Sequence, residues 1–201
     1  MYPQSLMHVN EVYSENKKEL SYVVEFFSFL LQRKSKQLAE HSLRVSDYAG
    51  AIAARMGLSH TEINTIQAAG ILHDIGLLNM PYLALQKRPF LTTRERASYR
   101  HHPEQGAAML ELIPSCQEVI PCILHHHERW DGTGFPRRRK QVNIPQGARI
   151  IAVADYYDHL IYPTDRNVGK TKREAVSELY SASGLLFDPT VVRSMIDVLG
   201  H

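Results

Sequence analysis

Cysteine and long apolar runs are both scarce in this 201-residue chain. Its two cysteines, Cys116 and Cys122, lie six residues apart, a spacing that fits neither a CxxC redox pair nor a structural zinc pattern. They read as buried thiols on neighbouring helical turns, which suits a reducing cytosol. The longest apolar stretch, Val23 to Leu31, is broken by Glu25 and Ser28 and is too short to cross a bilayer. Met1 to Glu19 holds no basic segment followed by an apolar one, so no secretory leader is expected. Charge of one sign is lacking too: a net charge of +2 argues against extended nucleic-acid binding, which shows as a concentrated basic stripe. Sequence repeats and low-complexity tracts are absent. These absences lead us to expect a soluble, cytoplasmic protein without membrane contact. A hydrophobic content of 44% suits one compact domain with a sizeable core.

What the chain does have is histidine, 11 in all, several of them beside aspartate or one another. His41, the pair His73-Asp74, His102, the pair His126-His127 and Asp155 follow one another at separations of 24 to 32 residues. That is the chain length of one helix and its loop, so each group would come from a different helix facing a common centre. Imidazole nitrogen and carboxylate oxygen are the donors that divalent metals accept. A lone histidine on a helix is usually a packed or surface residue. A His-Asp pair, a His-His-Glu run and an aspartate in an apolar helix together point to a metal cluster, with more than one ion.

The surrounding motifs are specific. They read His41-Ser-Leu-Arg44-Val45, Ile71-Leu72-His73-Asp74-Ile75-Gly76, His102-Pro103-Glu104-Gln105-Gly106, His126-His127-Glu128-Arg129-Trp130-Asp131-Gly132-Thr133-Gly134-Phe135-Pro136 and Ala148-Arg149-Ile150-Ile151-Ala152-Val153-Ala154-Asp155. In order and spacing this resembles the HD-GYP family, a branch of the HD-domain metal-dependent phosphohydrolases, over roughly residues 35 to 200. The resemblance implies an all-α HD-domain bundle and a site for two or three ions, usually iron or manganese. It also implies hydrolysis of cyclic di-GMP to linear pGpG or GMP. By position the metal ligands would be His41, His73, Asp74, His102, His126, His127 and Asp155, with Asp74 bridging two ions and the His73-Asp74 dyad central to catalysis.

Some positions depart from the family pattern. Where the family carries lysine three residues after the HD aspartate stands Leu77, which removes a phosphate-binding cation. Phe135 replaces the GYP tyrosine. Gln37 stands where three-metal members carry a carboxylate, which favours two ions. Arg166-Asn167-Val168-Gly169 replaces an Arg-Pro-Tyr-Arg stretch. Arg44, Lys87 and Arg88 are the cations expected to contact substrate in place of the missing lysine.

Along the chain the expected fold class is all-α, a bundle of about eight or nine helices with the metal site in its core. Residues 1–34 read as a lead-in and docking helix, loose to residue 14 and then apolar at Leu20, Val23, Val24, Phe27, Leu30 and Leu31. That helix either caps the core or forms a homodimer. Residues 35–201 read as the HD-GYP-like catalytic domain. Its helices are announced by Ser59-His-Thr-Glu62, Thr92-Thr-Arg-Glu95, Thr171-Lys-Arg-Glu174 and Asp188-Pro189, and Gly57 stops the one that carries His41. One helix should span about Ser115 to His127 and another Ile144 to Leu160. The Arg137 to Lys140 run lies in a long loop, as a solvated turn or as a basic rim for phosphates or an acidic partner.

The expected chemistry is two-metal phosphodiester hydrolysis of cyclic di-GMP or a related cyclic dinucleotide such as cyclic GMP-AMP. The alternative is a degenerate module that acts through nucleotide binding or protein contacts, since the family's GYP loop is associated with GGDEF-type diguanylate cyclases. A generic HD phosphohydrolase is disfavoured by the HHE-x-W-DG-x-G segment.

Overall fold

The structure, a computed structural model, describes residues 4–86, 91–162 and 168–200, the side chains of 4–16 and 86 excepted. These residues form helices α1 (Gln4–Lys34), α2 (Lys36–Arg55), α3 (His60–Leu72), α4 (Tyr82–Gln86), α5 (Thr93–Arg100), α6 (His102–Leu110), α7 (Ile120–His125), α8 (Gln146–Ile161), α9 (Lys172–Ala182) and α10 (Pro189–Val198). Three short 3-10 segments, Ile75–Asn79, Pro114–Cys116 and Gln141–Asn143, connect them, and no strand occurs among the described residues. The all-α expectation holds.

Helix starts fall where short polar side chains can satisfy the first backbone N–H groups. The Ser59, Thr92 and Thr171 hydroxyls each accept from the N–H of a glutamate three residues on, and that glutamate accepts in return. Ser35 caps α2 by accepting from the Leu38 N–H, and Asp188 caps α10 through Thr190. Two boundaries differ from expectation. Helix α1 starts at Gln4 rather than near residue 14. The helix expected over Ser115 to His127 is reduced to Ile120–His125 behind a 3-10 turn, because Pro121 falls inside that span, lacks the donor a helix interior needs, and stands instead in the first turn of α7.

Helix α2 packs against α1, α3, α8 and α10, and α7 and α9 pack against α8. Between them lies one core that includes Ile52, Leu72, Ile75, Ile123, Ile151, Leu179 and Met195. Phe27 and Leu31 of α1 belong to the same core. Burying each contributes about 1.5–3 kcal/mol, enough to hold α1 against the rest. Tyr22, Phe26 and Phe29 of that helix stay exposed.

The approach of the Ile75–Asn79 segment to α6 decides how the metal-site motifs meet. A Cβ on Gly76 would lie 2.0 Å from the His102 carbonyl oxygen and 2.8 Å from the Gly106 nitrogen. Only glycine lets the two backbones close to this distance, which carries the end of α3 up to the start of α6. Beside this contact, Leu77, Met80 and Ala84 form a second small apolar cluster with Leu38, Leu85, Leu91 and Tyr99.

Candidate metal centre

Most of the histidine and aspartate groups stand at helix ends rather than along helix faces. His41 and Asp155 project from the bodies of α2 and α8. His73 ends α3, Asp74 precedes the next 3-10 turn, His102 opens α6, and His126 and His127 follow α7. Helix termini allow adjacent residues to turn toward one point, which a helix face does not.

The seven positions fall into three overlapping groups whose ligand atoms lie within 4.8 Å of one another: His102 with His126 and His127, His73 with Asp74 and His126, and His41 with His73 and Asp155. His73 and His126 each belong to two groups, so the donors run continuously and suit more than one ion. Asp74 sits between them, with Oδ1 3.1 Å from His102 Nε2 and Oδ2 3.7 Å from His73 Nε2.

Hydrogen bonds on the far side of the rings set their tautomers. His73 Nδ1 lies 2.8 Å from the Gly70 carbonyl, His102 Nδ1 2.6 Å from that of Tyr99, and His126 Nδ1 2.7 Å from that of Ile123. A carbonyl only accepts, so each Nδ1 carries the hydrogen and each Nε2 of a neutral ring offers a lone pair. Burial pushes His73 below its ordinary value, His126 down to about 3 with help from neighbouring His73 and His102, and His127 well below. These are neutral imidazoles, the ligating form.

The consequence is a concentration of acceptors. His102 Nε2 and His126 Nε2 face each other at 3.2 Å, with the Asp74 carboxylate 3.1 Å from the first. Lone pairs so placed repel unless a cation lies among them. Metal–nitrogen bonds of about 2.0–2.1 Å would put two such nitrogens roughly 2.8–3.4 Å apart across a tetrahedral or octahedral edge. The His41 Nε2 and Asp155 Oδ1 atoms, 3.1 Å apart, are likewise buried without a hydrogen-bond partner. The residues present therefore fit divalent ions.

Around His41 the structure adds partners that the sequence reading did not name. Asp158, one turn after Asp155 and 2% exposed, accepts from His41 Nδ1 at 2.7 Å and from Arg44 Nε and Nη2 at 2.6 and 3.0 Å. This carboxylate–histidine pairing orients a metal-binding ring. Desolvation pulls the His41 pKa down, but the nearby Asp155 and Asp158 carboxylates outweigh it and hold it up at about 10, so this corner calls for positive charge. His159 lies with Nδ1 3.0 Å from Asp155 Oδ1 and its ring 4.6 Å from that of His41. Burial would raise the Asp155 carboxyl, but His159 and His41 hold it well below the usual range. The signal available in sequence was the second carboxylate at i+3 in an apolar helix.

The expected substrate cations fare differently. Arg44 is committed to Asp158 and stacks on Tyr162, with its guanidinium carbon 3.8 Å from the ring centroid, so it is not the free cation expected. Lys87 and Arg88 lie outside the described residues. Leu77 is fully buried in its apolar cluster, so its position has closed around the leucine. Gln37 is exposed and accepts from the Ser35 hydroxyl. His101, next to His102, is exposed and pairs with Glu104 at 3.0 Å.

The loop after His127 is held from inside. The buried Glu128 carboxylate accepts the backbone N–H of Arg137 at 2.6 Å and of Arg139 at 3.1 Å. A Cβ on Gly134 would lie 2.3 Å from the Arg129 nitrogen, so glycine is required where the loop folds back. The fold-back stacks Phe135 on His127, ring centroids 4.7 Å apart. The guanidinium carbon of Arg100 lies 4.6 Å above the Phe135 ring, and the Tyr99 hydroxyl lies 3.4 Å from His127 Nε2.

The family profile described as "HD domain" matches residues 25–191. A "Cyclic di-GMP phosphodiesterase" of Thermotoga maritima is 35% identical over 188 residues, covering 92% of this chain and 51% of that protein. A "3'3'-cGAMP-specific phosphodiesterase 2" of Vibrio cholerae is 30% identical over 188 residues, 91% of this chain and 35% of that protein. The chain thus spans about half or less of the length of these curated relatives. A solved HDG"Y"P protein from Bdellovibrio bacteriovorus superposes with a TM-score of 0.66 at 24% identity, covering 80% of this chain and 52% of its own, a likeness of fold. With the profile spanning most of its length and the motifs from His41 to Asp155 present in order, the chain belongs to the HD-domain family, in its HD-GYP branch.

Proposed function

We propose that this chain is a metal-dependent phosphodiesterase that hydrolyses cyclic di-GMP, or a related cyclic dinucleotide such as 3'3'-cGAMP, to a linear product. The observation that carries the reading is the facing pair His102 Nε2 and His126 Nε2, 3.2 Å apart beside Asp74, an arrangement that needs a cation. His41, His73, Asp74, His102, His126, His127 and Asp155 would hold two ions, iron or manganese, with Asp74 shared between them. Bound there, such a pair supplies an acidified water and charge neutralisation for the phosphodiester.

The chain's own residues do the rest. Carbonyls of Gly70, Tyr99 and Ile123 fix the rings of His73, His102 and His126. Asp158 fixes His41. Leu72, Ile75 and Ile123, fully buried beside these ligands, keep the surroundings dry, which strengthens every charge interaction in the site. The substrate class is supported by the activities named for the relatives.

A cytoplasmic location is proposed from the substrate's role as an intracellular second messenger and from two free buried thiols, Cys116 and Cys122. Among the described residues no helix is long and apolar enough to cross a membrane. Exposed Tyr22, Phe26 and Phe29 on α1 suit a homodimer through that helix. The division into a docking helix at 1–34 and a catalytic domain at 35–201 remains part of the proposal. The second reading, an interaction module that contacts diguanylate cyclases of the GGDEF type, is favoured by buried Leu77, which offers phosphate no charge.

The test is metal analysis of protein purified under iron- and manganese-replete conditions, followed by a single-turnover assay with cyclic di-GMP and 3'3'-cGAMP. Two ions per chain and a linear product are expected, and His73→Ala or Asp74→Ala should abolish cleavage while the protein stays helical. Two bound ions with no cleavage of either nucleotide would remove the enzymatic reading.

A further inference from the structure

We infer that Arg100 is a substrate-binding cation of this site, taking the phosphodiester of a cyclic dinucleotide that the metal ligands do not hold. The inference rests on the proposed substrate class and adds to it the residue that recognises the second phosphate.

Such a substrate has two phosphodiesters in one ring. One is attacked at the metal centre, and the other carries its charge elsewhere in the pocket. Leu77 cannot neutralise it, and Arg44 spends its charge on Asp158 at 2.6 Å. Arg137 is turned toward Glu104 at 3.4 Å. Arg100 has no carboxylate partner among the described residues and is exposed at the end of α5.

Position singles it out further. Its guanidinium carbon stands 4.6 Å from the centroid of the Phe135 ring, and the same ring stacks on His127 at 4.7 Å. Arg100 is thus one ring removed from a metal-ligand candidate, at the outer edge of the site. Cation–π contact orients the guanidinium plane while leaving its in-plane N–H donors available. Those donors match two oxygens of a phosphodiester, a pairing that lysine cannot reproduce. Phe135 then has a use that needs no hydroxyl: its ring is in contact with both the imidazole and the guanidinium.

The experiment measures equilibrium binding of a phosphorothioate analogue of cyclic di-GMP to manganese-loaded protein, wild type against Arg100→Ala and Arg100→Lys. Arg100→Ala should bind on the order of 10- to 100-fold more weakly, the loss of a charge-assisted hydrogen-bond pair, and Arg100→Lys should recover part of that. Manganese content and melting temperature should stay at wild-type values. Unchanged affinity in Arg100→Ala overturns the inference even if the wild type hydrolyses substrate. Weaker binding accompanied by metal loss also overturns it, because Arg100 would then act through Phe135 and His127. Arginine-dependent binding of the analogue, with no cleavage of cyclic di-GMP or 3'3'-cGAMP by the same manganese-loaded protein, leaves the inference standing and removes the hydrolase reading. A wild type that binds no cyclic dinucleotide removes both.

Discussion

Asp158→Asn tests whether the carboxylate behind His41 tunes the metal centre. In the folded protein Asp158 receives three donors: His41 Nδ1 at 2.7 Å, Arg44 Nε at 2.6 Å and Arg44 Nη2 at 3.0 Å. Asparagine keeps the shape but has one acceptor oxygen, and its amide hydrogens would confront at least one of those donors. His41 would then lose the partner that fixes its tautomer and raises its basicity. Loss of such a partner lowers metal affinity by about 10- to 100-fold, which is roughly 1.4–2.7 kcal/mol. Stability should fall as well, by about 1–3 kcal/mol, because the Arg44 side chain is 27% exposed and water covers only part of the loss. The assay is manganese titration of chelator-stripped protein in competition with an indicator, alongside thermal melts. Arg44→Gln, which leaves the His41 bond in place, should spare metal affinity more than Asp158→Asn does. A folded Asp158→Asn protein with wild-type metal affinity would refute the reasoning and remove His41 from the ligand set.

Leu77→Lys restores the charge that the family carries at this position, but it would bury an ammonium among Leu38, Met80 and Leu91. We expect a lower melting temperature and no gain in cyclic di-GMP turnover; a faster enzyme of unchanged stability would contradict the closed position. Gly76→Ala should lose about 1–3 kcal/mol or more in denaturant melts, together with bound metal, since its Cβ would meet the His102 carbonyl at 2.0 Å. Wild-type metal content in that variant would show that the close approach is not what assembles the site. In chelator-stripped protein His41 is held up at about 10, above an unfolded value near 6.5, so its stabilising charge contacts are complete below about pH 6.5 and disappear as pH rises through 10. The melting temperature of stripped protein should therefore fall over that range more steeply than that of loaded protein, and equal slopes would contradict the assignment.

The sequence by itself determined the helical class, most helix starts and the histidine and aspartate groups that the fold gathers as candidate ligands. Capping at Ser59, Thr92 and Thr171 is a relation between residues three apart, so it can be read directly and was found as expected. The His-Asp and His-His pairs were legible for the same reason, and their spacing placed them on successive elements. Where local signals conflict, reading failed: Pro121 cuts short the helix expected before His127, and Leu77, read as the loss of a phosphate-binding cation, is core. Tertiary structure alone decided who partners whom. Asp158 reaches His41 across 117 positions and Arg44 across 114, and that pairing turns an expected substrate cation into a support for the candidate metal centre. Arg100 carried no signal in the sequence; its place beside the site follows from the loop beyond Glu128, which sets one ring, Phe135, against both its guanidinium and His127. Periodicity and capping act over a few residues, whereas these contacts depend on how closely α2, α8 and the 128–139 loop pack. That packing is settled by the whole core at once.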